Sequence, residues 1–335
     1  MVHLRIVAPA DRSGKVVSLL ETTPSACNLI FLAGAARQPA GDVILCDVAR
    51  EDASVVIDDL RELGVPDLGS IALEQIDSQI SRAAKRAERA ARGAPSDAVV
   101  WEEVEARTSE TSELGGSFLA FMVLACLIAS VGIFTGSPIL IVGAMVVGPE
   151  FGPLAGLCVA AVERRRGPAL RSLTALTVGF PLGITAAFLF ALICVATGLV
   201  AADFKSVDNP LTQFIAEPDA FSVIVAVFAG AAGVLSLTSA KSGALIGVLI
   251  SVTTIPAAAN IGVAAALGNW DDWIGAMTQL SLNLCGIVLA GVGTLYLQRR
   301  LFERRRHRHL GDESRTAAGL PAEDGQRARR PAPRR

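Results

Sequence analysis

"GAMVVGPEFGP", residues 143–153, stands near the middle of an apolar run from Ser137 to Val162. A spanning helix needs about 20 apolar residues, because the hydrocarbon core is about 30 Å thick and lipid offers no partner to backbone N–H and C=O groups. The run is long enough, yet it holds two prolines and an acid where each is costly. Pro149 and Pro153 each lack a backbone donor and disfavour helix in the residue before them, while Gly148 and Gly152 permit turns that other residues resist. The helix is expected to unwind here. A charged acid at the centre of a span costs about 2.5–3.5 kcal/mol on insertion scales. Glu150 is therefore expected to face a cavity or a partner.

The surrounding chain has the composition this reading needs. Its 335 residues are 52% hydrophobic and 19% charged, too apolar for an ordinary soluble protein. The apolar residues concentrate between 117 and 297, where about six spans are expected: Ser117–Thr135, Ser137–Val162, Leu173–Ala202, Phe221–Leu237, Ser242–Leu267 and Ile274–Leu297. Lys and Arg set their direction. Arg164, Arg165, Arg166 and Arg171 follow the second span and "QRRLFERRRHRH" follows the sixth, whereas "ADFKSVDNP" and "NWDDW" on the other side carry mostly acids. The expectation is a multi-pass protein of the cell membrane with both termini cytoplasmic, Asp208 and Asp271 outward, and Trp270 and Trp273 at the outer interface. The net charge of −2 averages an acidic front and a basic tail. That average says nothing about nucleic acid; the apolar runs make the lipid bilayer the expected partner, and no nucleic-acid binding is expected because the Arg/Lys-rich stretch 81–93 has no aromatic companions.

Span five repeats the pattern of span two. "VTTIPAAANIG", residues 252–262, places Pro256 after Thr253 and Thr254 and before Asn260. A shift of three spans reverses direction across the membrane, so two interrupted spans at equivalent positions allow a 3+3 inverted repeat. Unwound backbone and half-helix ends at bilayer depth suit ions and polar solutes. On span six Gln279 and Asn283 stand at i and i+4 and share a face. The candidate substrate or ion site is therefore Gly148, Pro149, Glu150, Gly152 and Pro153 with Thr254, Pro256, Asn260, Gln279 and Asn283.

"SPILIVGAMVVGPEFGPLAG" (137–156), "FAGAAGVLSL" (228–237) and "GALIGVLISVTTIPAAANIGVAAALG" (243–268) resemble the hydrophobic membrane proteins grouped as domain of unknown function 389. The resemblance covers about residues 115–297. It implies a multi-span architecture and brings no activity or substrate, so a role for Glu150 rests on this chain's own residues.

Ahead of the spans, residues 1–77 read as an α/β domain of ferredoxin-like βαββαβ order. Strands are expected in "HLRIVAP" (3–9), "ACNLIFLAG" (26–34), "GDVILCDV" (41–48) and "GSIALEQI" (69–76), with helices in 11–24 and 50–65. The start lacks an apolar stretch and cleavage site of signal-peptide type, so this domain is expected to stay in the cytoplasm. Residues 78–116 read as a charged helical linker and 298–335 as a basic, largely disordered cytoplasmic tail. The six cysteines show no CxxC or His-paired spacing and read as small buried hydrophobes. His3, His307 and His309 all lie outside the spans, and no GxSxG, Walker or HExxH motif occurs. No enzyme, metal or cofactor is expected. The small residues "GAAG" (230–233) and "GVGT" (291–294) suit close helix packing and are compatible with a homo-oligomer. The functional expectation is a secondary transporter or exchanger of a small solute or ion, regulated by its cytoplasmic domain. The alternatives are an ion channel with the same broken helices and a membrane-anchored sensor or assembly protein that transports nothing.

Overall fold

The computed structural model describes residues 1–76, 78–91, 98–206, 219–239 and 254–321. The chain divides into two compact units: the first gathers residues up to Glu103 and those from Gln298 onward, and the second lies largely between Val104 and Leu297.

The first unit is built on a four-stranded sheet of β1 (Val2–Ala8), β2 (Ala26–Arg37), β3 (Ala40–Val48) and β4 (Ser70–Gln75), in spatial order β2-β3-β1-β4. Every neighbouring pair is antiparallel. Alternation decides the faces: Val2, Leu4, Ile6 and Ala8 on β1 are fully buried, and Leu4 stands opposite both Cys46 and Leu73. Helices α1 (Ala10–Thr22) and α2 (Arg50–Glu62) close this face with Val16, Leu19, Val56 and Leu60. A single turn, α3 (Val65–Leu68), precedes β4.

Two stretches differ from the sequence reading. In the expected linker, Ser81 caps α4 (Arg82–Ala90) by accepting from the Ala83 and Ala84 amides, and Ala84 and Ala87 are buried. The start of α5 (Trp101–Thr111) is pinned to α2: Ser54 Oγ donates to Glu102 at 2.7 Å, and Arg50 reaches Glu103 at 2.9 Å. In the expected disordered tail, residues 298–321 are described and are mostly helical. Its first part continues helix α12 (Trp270–His309), and a short helix α13 (Glu313–Ala317) follows. Arg315 is fully buried, paired with Asp59 and, at 2.7 Å, with Glu62. These acids on α2 give the basic segment somewhere to dock, so charge that suggested disorder instead makes salt bridges.

In the second unit, α6 (Gly116–Thr135), α9 (Arg166–Ala196), α10 (Ala220–Thr238) and α12 are long and apolar enough to cross a membrane. A fifth span results if α7 (Pro138–Val147) and α8 (Phe151–Glu163) count as one, bent by 52° at the break between them. The expected span Ser242–Leu267 lies partly outside the described residues; from Thr254 it continues as α11 (Ile255–Ala266), 12 residues and too short to cross alone. Gly136 in the left-handed region (φ 60°) ends α6, and Ser137 with Pro138 starts α7. Helix α11 packs on α9 at very short range: a Cβ on Gly262 would lie 2.4 Å from the Ile184 carbonyl oxygen.

Candidate functional site at a helix break

The expected break is confined to Gly148, Pro149 and Glu150. The two prolines act differently. Pro149 stands in the break, whereas Pro153 sits in the first turn of α8, where its missing N–H would have had no partner in any case. Pro256 takes the same place in the first turn of α11. Both motifs therefore begin a helix.

Glu150 is the residue immediately before α8 and Thr254 the residue immediately before α11. Both are fully buried, and the Thr254 hydroxyl donates to Glu150 Oε1 at 2.7 Å. A carboxylate and a hydroxyl thus meet where two helices begin, the ends at which backbone dipoles favour negative charge. Gly148 lets them meet: a Cβ there would lie 2.4 Å from Glu150 Oε2 and 2.7 Å from Ile255 Cγ1. Gly152 is as closely approached from α5, where the Thr111 carbonyl oxygen would lie 2.5 Å from a Cβ. Ser112 Oγ donates to the Gly152 carbonyl at 3.2 Å.

The remaining polar candidates are also buried. Asn260 lies six residues beyond Thr254, roughly 9 Å along α11 and on a different face; it is fully buried and neither amide atom has a partner among the described residues. It makes no hydrogen bond to Glu150. On α12, Gln279 (3% exposed) and Asn283 (0%) are both buried one turn apart, as their spacing requires. Thr253 and Asp208 fall outside the described residues. Of the two loop acids read as outward-facing, Asp271 is exposed, while its neighbour Asp272 is buried and accepts from the Ser206 amide at 3.0 Å and hydroxyl at 2.7 Å.

Chemically the site offers oxygen ligands, a carboxylate and a hydroxyl, with unused amide capacity deeper in the same unit. Such groups suit a proton, a hard cation or a hydrogen-bonding solute. Among the described residues, no three His, Cys, Asp or Glu side chains gather as a metal site. The approach of Thr111 and Ser112 to Gly152 had no signal in the sequence, because it joins residues 40 apart through a segment that reads as a polar linker.

A family model described as a domain of unknown function (DUF389) matches residues 145–289, which include the break and α11. An uncharacterised protein of Methanocaldococcus jannaschii is 25% identical over 196 residues, covering 58% of each chain. The chain thus spans under two thirds of that curated relative. No solved structure matches.

Proposed function

We propose, for a chain whose residues 145–289 belong to the DUF389 family, a secondary transporter or exchanger of a small solute or ion with its site at the Glu150 break. The observation that carries this reading is the buried Glu150–Thr254 bond between two helix starts, beside an interrupted apolar run. A buried acid and a broken helix are both costly in lipid, and a binding site is what repays retaining them. The placement of α8 and α11, each with a proline in its first turn and each preceded by one partner of the bond, supports the 3+3 inverted-repeat reading. The strand order β2-β3-β1-β4 with all-antiparallel pairing supports a ferredoxin-like regulatory domain. The Lys/Arg asymmetry of the loops supports a cell-membrane protein with cytoplasmic termini.

The test is flux of ions and small solutes into liposomes holding the purified chain. Glu150→Gln keeps the shape and removes the ionisable group; flux of the accepted solute should fall about tenfold or change its pH dependence, as expected for loss of one charge-assisted bond. Thr254→Val should weaken apparent affinity in the same direction. If the bond is only a packing clamp, Glu150→Gln lowers Tm while flux matches the parent at every pH, and the transport site lies elsewhere.

A further inference from the structure

A second cleft stands in the same unit, and Glu150 is not in its lining. The end of α5, the C-terminal half of α8 and the first turns of α9 border a cleft with Thr108, Ser112, Gly156, Arg165, Arg171 and Ser172 in its lining. Its floor is bare: a Cβ on Gly156 would lie 2.3 Å from Ser112 Oγ and 2.7 Å from Ser172 Oγ, so two hydroxyls converge there. Ser112 already donates to the Thr108 and Gly152 carbonyls. Ser172 is different. It is 1% exposed and its hydroxyl has no partner among the described residues, an arrangement that costs about 1–3 kcal/mol unless something fills it.

The charges at the mouth are unevenly used. Arg165 pairs with Glu105 and stands 3.6 Å from Glu163, which accounts for both acids of the lining. Arg171 makes no ion pair among the described residues, nor do Arg164 and Arg166 beside it. Arg171, the sixth residue of α9 and exposed, is therefore the cation of the lining with no ion pair among the described residues, and Ser172 follows it in the same lining. A planar guanidinium fork and a hydroxyl donor together suit a phosphate, which Arg recognises through two parallel N–H···O bonds.

We propose that this cleft binds a phosphate group, either the headgroup phosphodiester of an anionic lipid or a free phosphate, through Arg171 and the Ser172 hydroxyl. The site does not depend on the transport reading, and its failure would leave the Glu150 site untouched.

The full chain, purified in detergent and stripped of lipid, would be melted with short-chain phosphatidylglycerol, with the matching diacylglycerol that lacks phosphate, and with inorganic phosphate. Phosphatidylglycerol should raise Tm and diacylglycerol should not. Arg171→Gln and Ser172→Ala should each weaken the apparent affinity about tenfold, the worth of one charge-assisted hydrogen bond; Lys85→Gln, on α4, should leave it unchanged. If Arg171→Gln does not fold, Arg171→Lys keeps the charge and loses the fork, and should still bind more weakly than the parent. A shift given equally by inorganic phosphate, with the same sensitivity to the variants, assigns a free phosphate; a shift given by phosphatidylglycerol alone assigns the lipid. The proposal is overturned if neither phosphate compound raises Tm, or if the shift is as large in Arg171→Gln and Ser172→Ala as in the parent.

Discussion

Gly148 shows how one missing methyl sets the site. Two glycines of the same run make a controlled comparison. A Cβ on Gly148 would intrude on the Glu150 carboxylate and Ile255, whereas one on Gly143 would meet nothing within 4 Å. Gly143 lies within helix α7, where Ala is favoured over Gly by about 0.5–1 kcal/mol. Gly143→Ala is therefore expected to hold or raise Tm, and Gly148→Ala to lower it and to impair whatever Glu150 does. Thermal melting of both variants in one detergent checks this; equal effects would mean that the Glu150 side chain has room the structure does not give it. The cost of Pro149 and the special character of Gly148 were legible in the sequence, because both follow from the residue's own backbone. The partner of Glu150 was not, since Thr254 lies 104 residues away and its hydroxyl resembles any other until the two helix starts meet.

At the scale of elements, the segment after α12's apolar stretch is the clearest departure from expectation. His309 is held between two carboxylates: Nε2 stands 2.7 Å from Asp59 and Nδ1 2.8 Å from Asp312. Burial by itself would lower the imidazole pKa, but the hydrogen bonds and charges of Asp59 and then Asp312 outweigh it, and the pKa rises above the ordinary 6.5. Of the neighbouring cations, Arg315 shares Asp59 with His309 and also pairs with Glu62, while Arg306 pairs with Asp58 and Glu62. A raised pKa means that the folded form holds the proton more tightly than the unfolded one. The stabilisation is complete below about pH 6.5 and is lost as pH rises through the folded-state value. His309→Gln should therefore lower Tm at pH 6 and have a smaller effect at pH 9, read by melting the full chain across that range. A difference between parent and variant that does not change with pH would remove His309 from the docking of this segment. Composition made the stretch look disordered because it scores Arg residues as solvated charge; burial of Arg315 requires acids that only the folded α2 presents together.

For the whole molecule, the charge asymmetry of the loops yields an orientation that can be measured. In a variant lacking native cysteines, Asp271→Cys should react with an impermeant thiol reagent added outside intact cells, and Arg166→Cys should not, as the positive-inside rule requires. Neither position is buried within the protein; the reverse pattern would invert the topology. The sequence by itself determined the division into a charged α/β front and an apolar helical body, the strand and helix order of the front, and the position of the helix break. Each of these follows from local terms: hydrophobic period, proline and glycine geometry, and the length needed to cross a bilayer. Only the tertiary structure decided that Glu150 meets Thr254 while Asn260 makes no bond to it, that Ser112 reaches Gly152 in the first turn of α8, that the Ser172 hydroxyl has no partner among the described residues, and that Arg315 is buried. Those outcomes depend on which distant surfaces come together. A one-dimensional pattern records how a residue is suited to burial, but the partner it finds there is fixed by packing between elements far apart in the chain.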